Sequence, residues 1–227
     1  MCSLAPPFRL EQKPTQVQPV TEKVSAESSR EALIQNLYTW GPALTQEVRA
    51  TYPSSVVHEL VRAKVMTRKR FTGFEVYLLS GVGLRPYGFS MRYNYIPAKS
   101  VVLGALIVRA AARQYEQDGY KVTMYDGYAK RGRDNLLLAR KSHKVTLVIG
   151  RASLTLRAVR QIVNNLQETF PKLAGIHAFV LEGSHDPLLV SARSVNDIPF
   201  KLAQLPLLRV TGKESGQNVV PSKNHAG

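Results

Sequence analysis

The 227 residues are enough for two small domains with cores of their own, and a chain that is 44% hydrophobic and 21% charged is too apolar for wholesale disorder. The 31 Lys and Arg outnumber the 16 Asp and Glu, giving a net charge of +15 and a pI near 10.1, a surplus suited to a polyanionic partner. Cys2 is the one cysteine, which excludes an internal disulfide and a cysteine-built zinc site, and no run approaches the ~18 apolar residues of a membrane helix.

Residues 1–28 hold Pro6, Pro7, Pro14 and Pro19 among Gln, Ser, Thr and Glu, and are expected to form a flexible arm. They lack the charged start and apolar core of a signal peptide, so a soluble, cytoplasmic, nucleoid-associated protein is expected. A first domain is expected over 29–95. From Ser28 or Ser29 as a cap, Ala32, Leu33, Leu37 and Trp40 recur at helical spacing until Gly41-Pro42. A second helix is predicted from Ala43 to about Tyr52, where Pro53 breaks it. Ser54 or Ser55 then caps a third, with Val57, Leu60, Val61 and Val65 as its inward stripe. The apolar period next drops to two. Met66–Phe71, a Thr72-Gly73 turn and Phe74–Leu79 read as a hairpin.

A second domain is expected over 96–211. Pro97 precedes a helix from about Ala98 to Gln117 that Gly119 ends. Strands follow at Lys121–Tyr125, Asn135–Ala139 and Val145–Ile149, then a helix from about Ser153 to Thr169 and a strand Ile176–Leu181. Pro199 and Pro206 break the apolar stretch from Pro187 to Leu208 into what should be short pieces on the domain's edge, and 212–227 should be a flexible tail.

Three helices and a hairpin make the winged form of the helix-turn-helix, whose third helix enters the major groove while the hairpin lies along the backbone or minor groove. On the third helix Ser54, Ser55, His58, Glu59 and Arg62 fall away from the apolar stripe, with Arg62 the strongest candidate for a base contact. The hairpin adds Arg68, Lys69, Arg70 and Thr72 for phosphates or a narrow minor groove. A charge run at a turn is more often only solvated; its place behind three helices in a +15 chain favours the functional reading. Ala32–Trp40, Leu44–Tyr52, Ser54–Lys64 and Val76-Tyr77-Leu78-Leu79-Ser80-Gly81-Val82-Gly83 together resemble the replication-relaxation family of winged-helix proteins over about residues 31–90. In that family a similar strand ends in a Thr-Pro-x-Gly or related turn, for which Ser80-Gly81-Val82-Gly83 stands here.

The fold class expected overall is therefore α+β, an N-terminal winged helix-turn-helix followed by an α/β domain resembling a degenerate restriction-endonuclease-like core. Nucleases of that fold hold Mg²⁺ with an Asp on one strand and a Glu-x-Lys on the next, because the ion needs hard carboxylate oxygens. Asp134 sits where the first carboxylate belongs, yet the next strand reads Leu147-Val148-Ile149-Gly150, and Asp134 is better read as a turn or cap residue. Glu182, His185 and Asp186 surround a Gly183-Ser184 turn where polar residues are the default, and Gly81-x-Gly83 and Gly127 to Gly132 lack the setting of a phosphate loop. What the domain offers is charge. Residues 96–170 hold 13 basic and 5 acidic residues, a surplus of +8. Lys130, Arg131, Arg133, Arg140, Lys141, Lys144 and Arg151 lie in or beside strand connections, Arg157 and Arg160 on the following helix, and Tyr120, Tyr125 and Tyr128 are candidates for stacking on unpaired bases.

These observations lead to a non-catalytic protein that binds DNA, duplex in the first instance, as a homodimer, with no metal, cofactor or membrane. The alternatives are a metal-dependent nuclease with an unrecognised site, a protein-interaction module using its winged helix, and an RNA binder.

Overall fold

A computed structural model describes residues 26–81, 97–125, 135–183 apart from 168 and 171, and 186–210 apart from 208 and 209. Over these residues the fold is mixed α+β, with two sheets and helices packed on them. The first unit runs α1 (Ala26–Trp40), β1 (Ala43–Leu44), α2 (Thr45–Thr51), α3 (Ser54–Arg62), β2 (Met66–Phe71) and β3 (Phe74–Leu79). Gly41 ends α1 at φ +79°, a conformation that suits glycine, with its N–H on Leu37 O at 3.0 Å.

Several predicted boundaries move. Ser28 and Ser29 lie within α1 rather than before it, so the helix starts inside the expected arm. Its buried residues are Leu33, Ile34 and Leu37, while Ala32 faces solvent. The expected second helix yields Ala43 and Leu44 to β1, whose pairing with Tyr77 and Val76 satisfies backbone that is otherwise buried. Pro53 is the cap of α3 and no side chain bonds there, so Ser54 and Ser55 are its first helical residues and not caps. The inward residues are Val56, Val57 and Leu60, whereas Val61 is 37% exposed. Val56 and Leu60 are four apart and bracket Val57, which sets a stripe that Val61 lies beyond.

β3 is the middle strand of the order β1-β3-β2, and both its faces are covered. Tyr77 and Leu79, with Met66 of β2, pack on the core of α1, α2 and α3. Phe74, Val76 and Leu78 turn the other way, into the core of the second unit.

That unit comprises α4 (Lys99–Gln117), β4 (Lys121–Tyr125), β5 (Leu136–Lys141), β6 (Lys144–Gly150), α5 (Leu156–Gln167), β7 (Gly175–Leu181), α6 (Pro187–Ser191), β8 (Ser194–Val195) and β9 (Ile198–Leu205). The strand order is β4-β5-β6-β7-β9-β8: an antiparallel meander, then β6, β7 and β9 in parallel. The stretch expected to be short edge pieces thus supplies an eight-residue strand inside the sheet. Pro199 sits at the second position of β9, where a missing N–H is tolerated, and Pro206 follows its end. Alternating residues divide between the faces, Leu137, Ala139, Val148 and Phe179 toward α4, and Leu136, Leu138, Leu147 and Ile149 toward α5. α4 is accordingly shared: one side of it meets this sheet, another meets Phe74, Val76 and Leu78 of the hairpin.

Candidate functional site

Ser54, Ser55, His58, Glu59 and Arg62 are all exposed on α3, as its pattern predicts. Glu59 is held by Arg30 of α1, whose guanidinium contacts its two oxygens at 2.8 and 3.0 Å, so the one acidic group of this face carries a counter-charge.

The strand period sorts the hairpin's cations. Arg68 and Arg70 lie on the sheet face of Met66 and Tyr77, toward the helices, while Lys69 lies on the face of Val76, toward α4, and is half-buried. The three basic residues expected to act together are therefore split two to one. Glu75 stands opposite Arg70 and accepts from both terminal and Nε nitrogens of Arg68, the latter at 3.0 Å, with Arg70 Nε 3.7 Å from its other oxygen. The hydrogen bond from Arg68 is the main cause that holds the Glu75 carboxyl below its ordinary range, and the charges of Arg68, Arg70 and Arg49 add to it. Arg49, exposed on α2, is a member of this cationic group that sequence reasoning missed. Its only signal was a basic residue on a polar helix face, and its relevance depends on α2 lying against β3. At the hairpin tip Phe71 and Phe74 stack at 5.3 Å beside a shallow pocket of about 230 Å³ that Thr45, Arg70 and Glu75 also line; Thr72 is exposed there.

Among the described residues the basic side chains of the second unit do not converge. Arg140 donates to Thr123 Oγ1 at 2.8 Å, and Lys141 donates to Asp118 O at 2.7 Å while standing 5.0 Å over the Tyr120 ring. Lys144 pairs with Lys141 at one end of β6, and Arg151 follows the other end, its N–H on Phe179 O. A rise of ~3.3 Å per residue separates Lys144 and Arg151 by roughly 20 Å. Arg157 and Arg160 are exposed on α5, across the sheet from α4. Lys130, Arg131, Arg133, Asp134, Tyr128, the Gly127 to Gly132 stretch and His185 lie outside the described residues. Tyr125 is committed to packing, edge-on to Phe170 at 5.6 Å. Asp186 caps α6 through Leu188 N–H at 3.0 Å and accepts from Leu156 N–H at 3.2 Å, which assigns it a structural part. Among the described residues no three His, Cys, Asp or Glu side chains gather as a metal site would need.

A second concavity, of about 310 Å³, lies where the C-terminal end of α4 meets the starts of β6, β7 and β9. Gln114, Tyr115, Asp118, Tyr120, His177 and Lys201 are among its lining residues. Tyr115 Oη and His177 Nδ1 are 2.8 Å apart. Burial, assisted by the Lys201 charge, pulls the imidazole down to about 4, and burial pushes the Tyr115 phenol up to about 12, so both are neutral at pH 7. Nothing in the spacing of these residues along the chain foretells the grouping.

No family model, curated protein or solved structure matches the chain. Among the described residues no helix is long and apolar enough to cross a membrane.

Proposed function

We propose that the first unit is a winged helix and that the protein is a non-catalytic DNA-binding protein which meets the duplex with α3 and the β2–β3 hairpin. The single observation that carries this reading is the pairing of an exposed polar helix face, Ser54, Ser55, His58 and Arg62, with Arg68 and Arg70 on a hairpin that begins four residues later, all in a chain of net charge +15. Helix hydroxyls, an imidazole and a guanidinium are groups that bond base edges and phosphates, and hairpin arginines suit the adjoining backbone. Arg49 joins them from α2, and Glu75 holds Arg68 and Arg70 in place while weakening their pull on phosphate. The resemblance to replication-relaxation proteins, the likeness of the second unit to an inactive nuclease core, and a homodimer reading two half-sites belong to the same proposal.

Titration of the full chain with a duplex library at two salt concentrations tests it. Binding should weaken steeply with salt, and replacing Arg68 and Arg70 together by Ala should flatten the log–log salt slope by about 1 to 2 while weakening all sequences alike. Arg62→Ala should in addition relax any base preference, worth roughly 1–3 kcal/mol per contact. Glu75→Gln should strengthen binding, because the arginines are then free to answer phosphate. Duplex affinity that ignores all of these changes eliminates the proposal.

A further inference from the structure

The cleft at the end of α4 combines features that nothing in the duplex reading uses. Its walls carry aromatic rings: Tyr115 and Tyr120 meet edge-on at 5.0 Å, and His177 lies 6.0 Å from Tyr115 with its other neighbour, Phe179, at 4.2 Å. The Gln114 amide and the Thr146 hydroxyl, which can both donate and accept, and the Asp118 carboxylate, which accepts, also line the cleft. The imidazole is an uncharged partner. When Tyr115 donates to Nδ1, the ring proton sits on Nε2, which is then the donor of the two ring nitrogens. Cations flank the cleft, Lys201 in its lining and Lys141 over the Tyr120 ring.

We propose that this cleft binds one unpaired nucleotide unit, a nucleobase with a single phosphate, lodging the base against the aromatic walls that Tyr115, Tyr120 and His177 form and placing the phosphate at Lys201. A planar ring with a hydrogen-bonding edge and one anionic group matches aromatic walls, mixed donors and acceptors, and a lysine. The volume of about 310 Å³ lies at the lower end of the ~300–1,000 Å³ of small-molecule sites, room for one such unit and far too little for a duplex. The unit comes either as a free mononucleotide or as an unpaired nucleotide within a strand. The inference does not rest on duplex binding, which is read by changes in α3 and the hairpin.

The test is a titration of the full chain with deoxyadenosine monophosphate, deoxyadenosine, inorganic phosphate and a short oligodeoxyadenylate, followed through the His177 ring resonances. The monophosphate should saturate at least tenfold more tightly than the nucleoside or phosphate, and bound phosphate, by offsetting the Lys201 charge, should raise the His177 titration midpoint from about 4. Lys201→Ala, at an exposed position, should weaken the monophosphate at least tenfold and the nucleoside less than twofold. Tyr120→Ala should weaken both. Competition by the oligonucleotide identifies the strand as a source, and its absence identifies the free nucleotide. A monophosphate that binds no better than phosphate, or equally well after Lys201→Ala, overturns the proposal.

Discussion

His177 illustrates how a single side chain ties pH to stability. Its folded value of about 4 lies below the ordinary 6.5, with burial as the first cause and Lys201 as the second. Between those two pH values the unfolded chain holds a proton that the folded chain refuses, so stability is complete above about pH 6.5 and is lost as the pH falls toward 4. At pH 4.5 the loss from this one group is roughly 2–3 kcal/mol relative to pH 7. His177→Gln, which keeps a neutral polar group, should remove most of that difference from urea unfolding midpoints compared at the two pH values. An unchanged pH dependence in the variant rules out the buried neutral imidazole as its source. At this scale the sequence is a partial guide. The exposure of Ser54, Ser55, His58 and Arg62 follows from a helical period, and the opposite placement of Lys69 follows from a strand period of two once the hairpin is accepted. The Tyr115–His177 pair and the contribution of Arg49 depend on which elements become neighbours, and local pattern carries no such information.

Elements are most legible where their own residues decide them. The hairpin and α4 lie close to their predicted bounds because a change of period, a Gly-containing turn and a long apolar helical face are local signals. β1 and β9 are different. Two residues make β1 a strand only because β3 supplies its partner, and the two prolines near the ends of β9 conceal a strand that parallel pairing with β7 creates. Packing distance between elements is set as specifically. α4 approaches β6 at Gly104 and Gly150, where a Cβ on Gly150 lies 2.4 Å from Val108 Cγ2, 3.1 Å from Val108 N and 3.2 Å from Gly104 O. Backbone atoms cannot yield there without moving the helix, so Gly150→Ala should destabilise by about 1–3 kcal/mol. Gly175→Ala is the control, since its Cβ meets nothing closer than Pro199 O at 3.6 Å and should stay within ~0.5 kcal/mol. Equal denaturation midpoints for the two variants contradict a close helix–sheet contact.

At the scale of the whole molecule the two units share structure through α4, and one charge marks the seam. Arg109 is 5% exposed, and its guanidinium donates to Gly41 O at 2.8 Å and Asn36 Oδ1 at 2.9 Å, with Glu47 at 3.5 Å. Glu47 also has Arg113 of α4, at 3.0 Å. A buried guanidinium is tolerable only while its partners remain, and those partners lose their donor if it goes. Around it, Phe74, Val76 and Leu78 share a core with α4 and the six-stranded sheet, so loosening the first unit uncovers the apolar surface of the second. Trp40, the single tryptophan, packs against that same core one residue before the Gly41 carbonyl that Arg109 holds. Its fluorescence should therefore change together with far-UV circular dichroism in one unfolding transition. Arg109→Met keeps an unbranched apolar stem, removes the donors and should lower both midpoints together, for a loss of stability of about 3 kcal/mol. A tryptophan transition well ahead of the circular dichroism in the unaltered protein means that the units melt independently and that α4 does not couple them. A coupled pair of units holds α3 and the hairpin against a fixed base, which is what the proposed contact of a helix face and a strand turn with one groove requires.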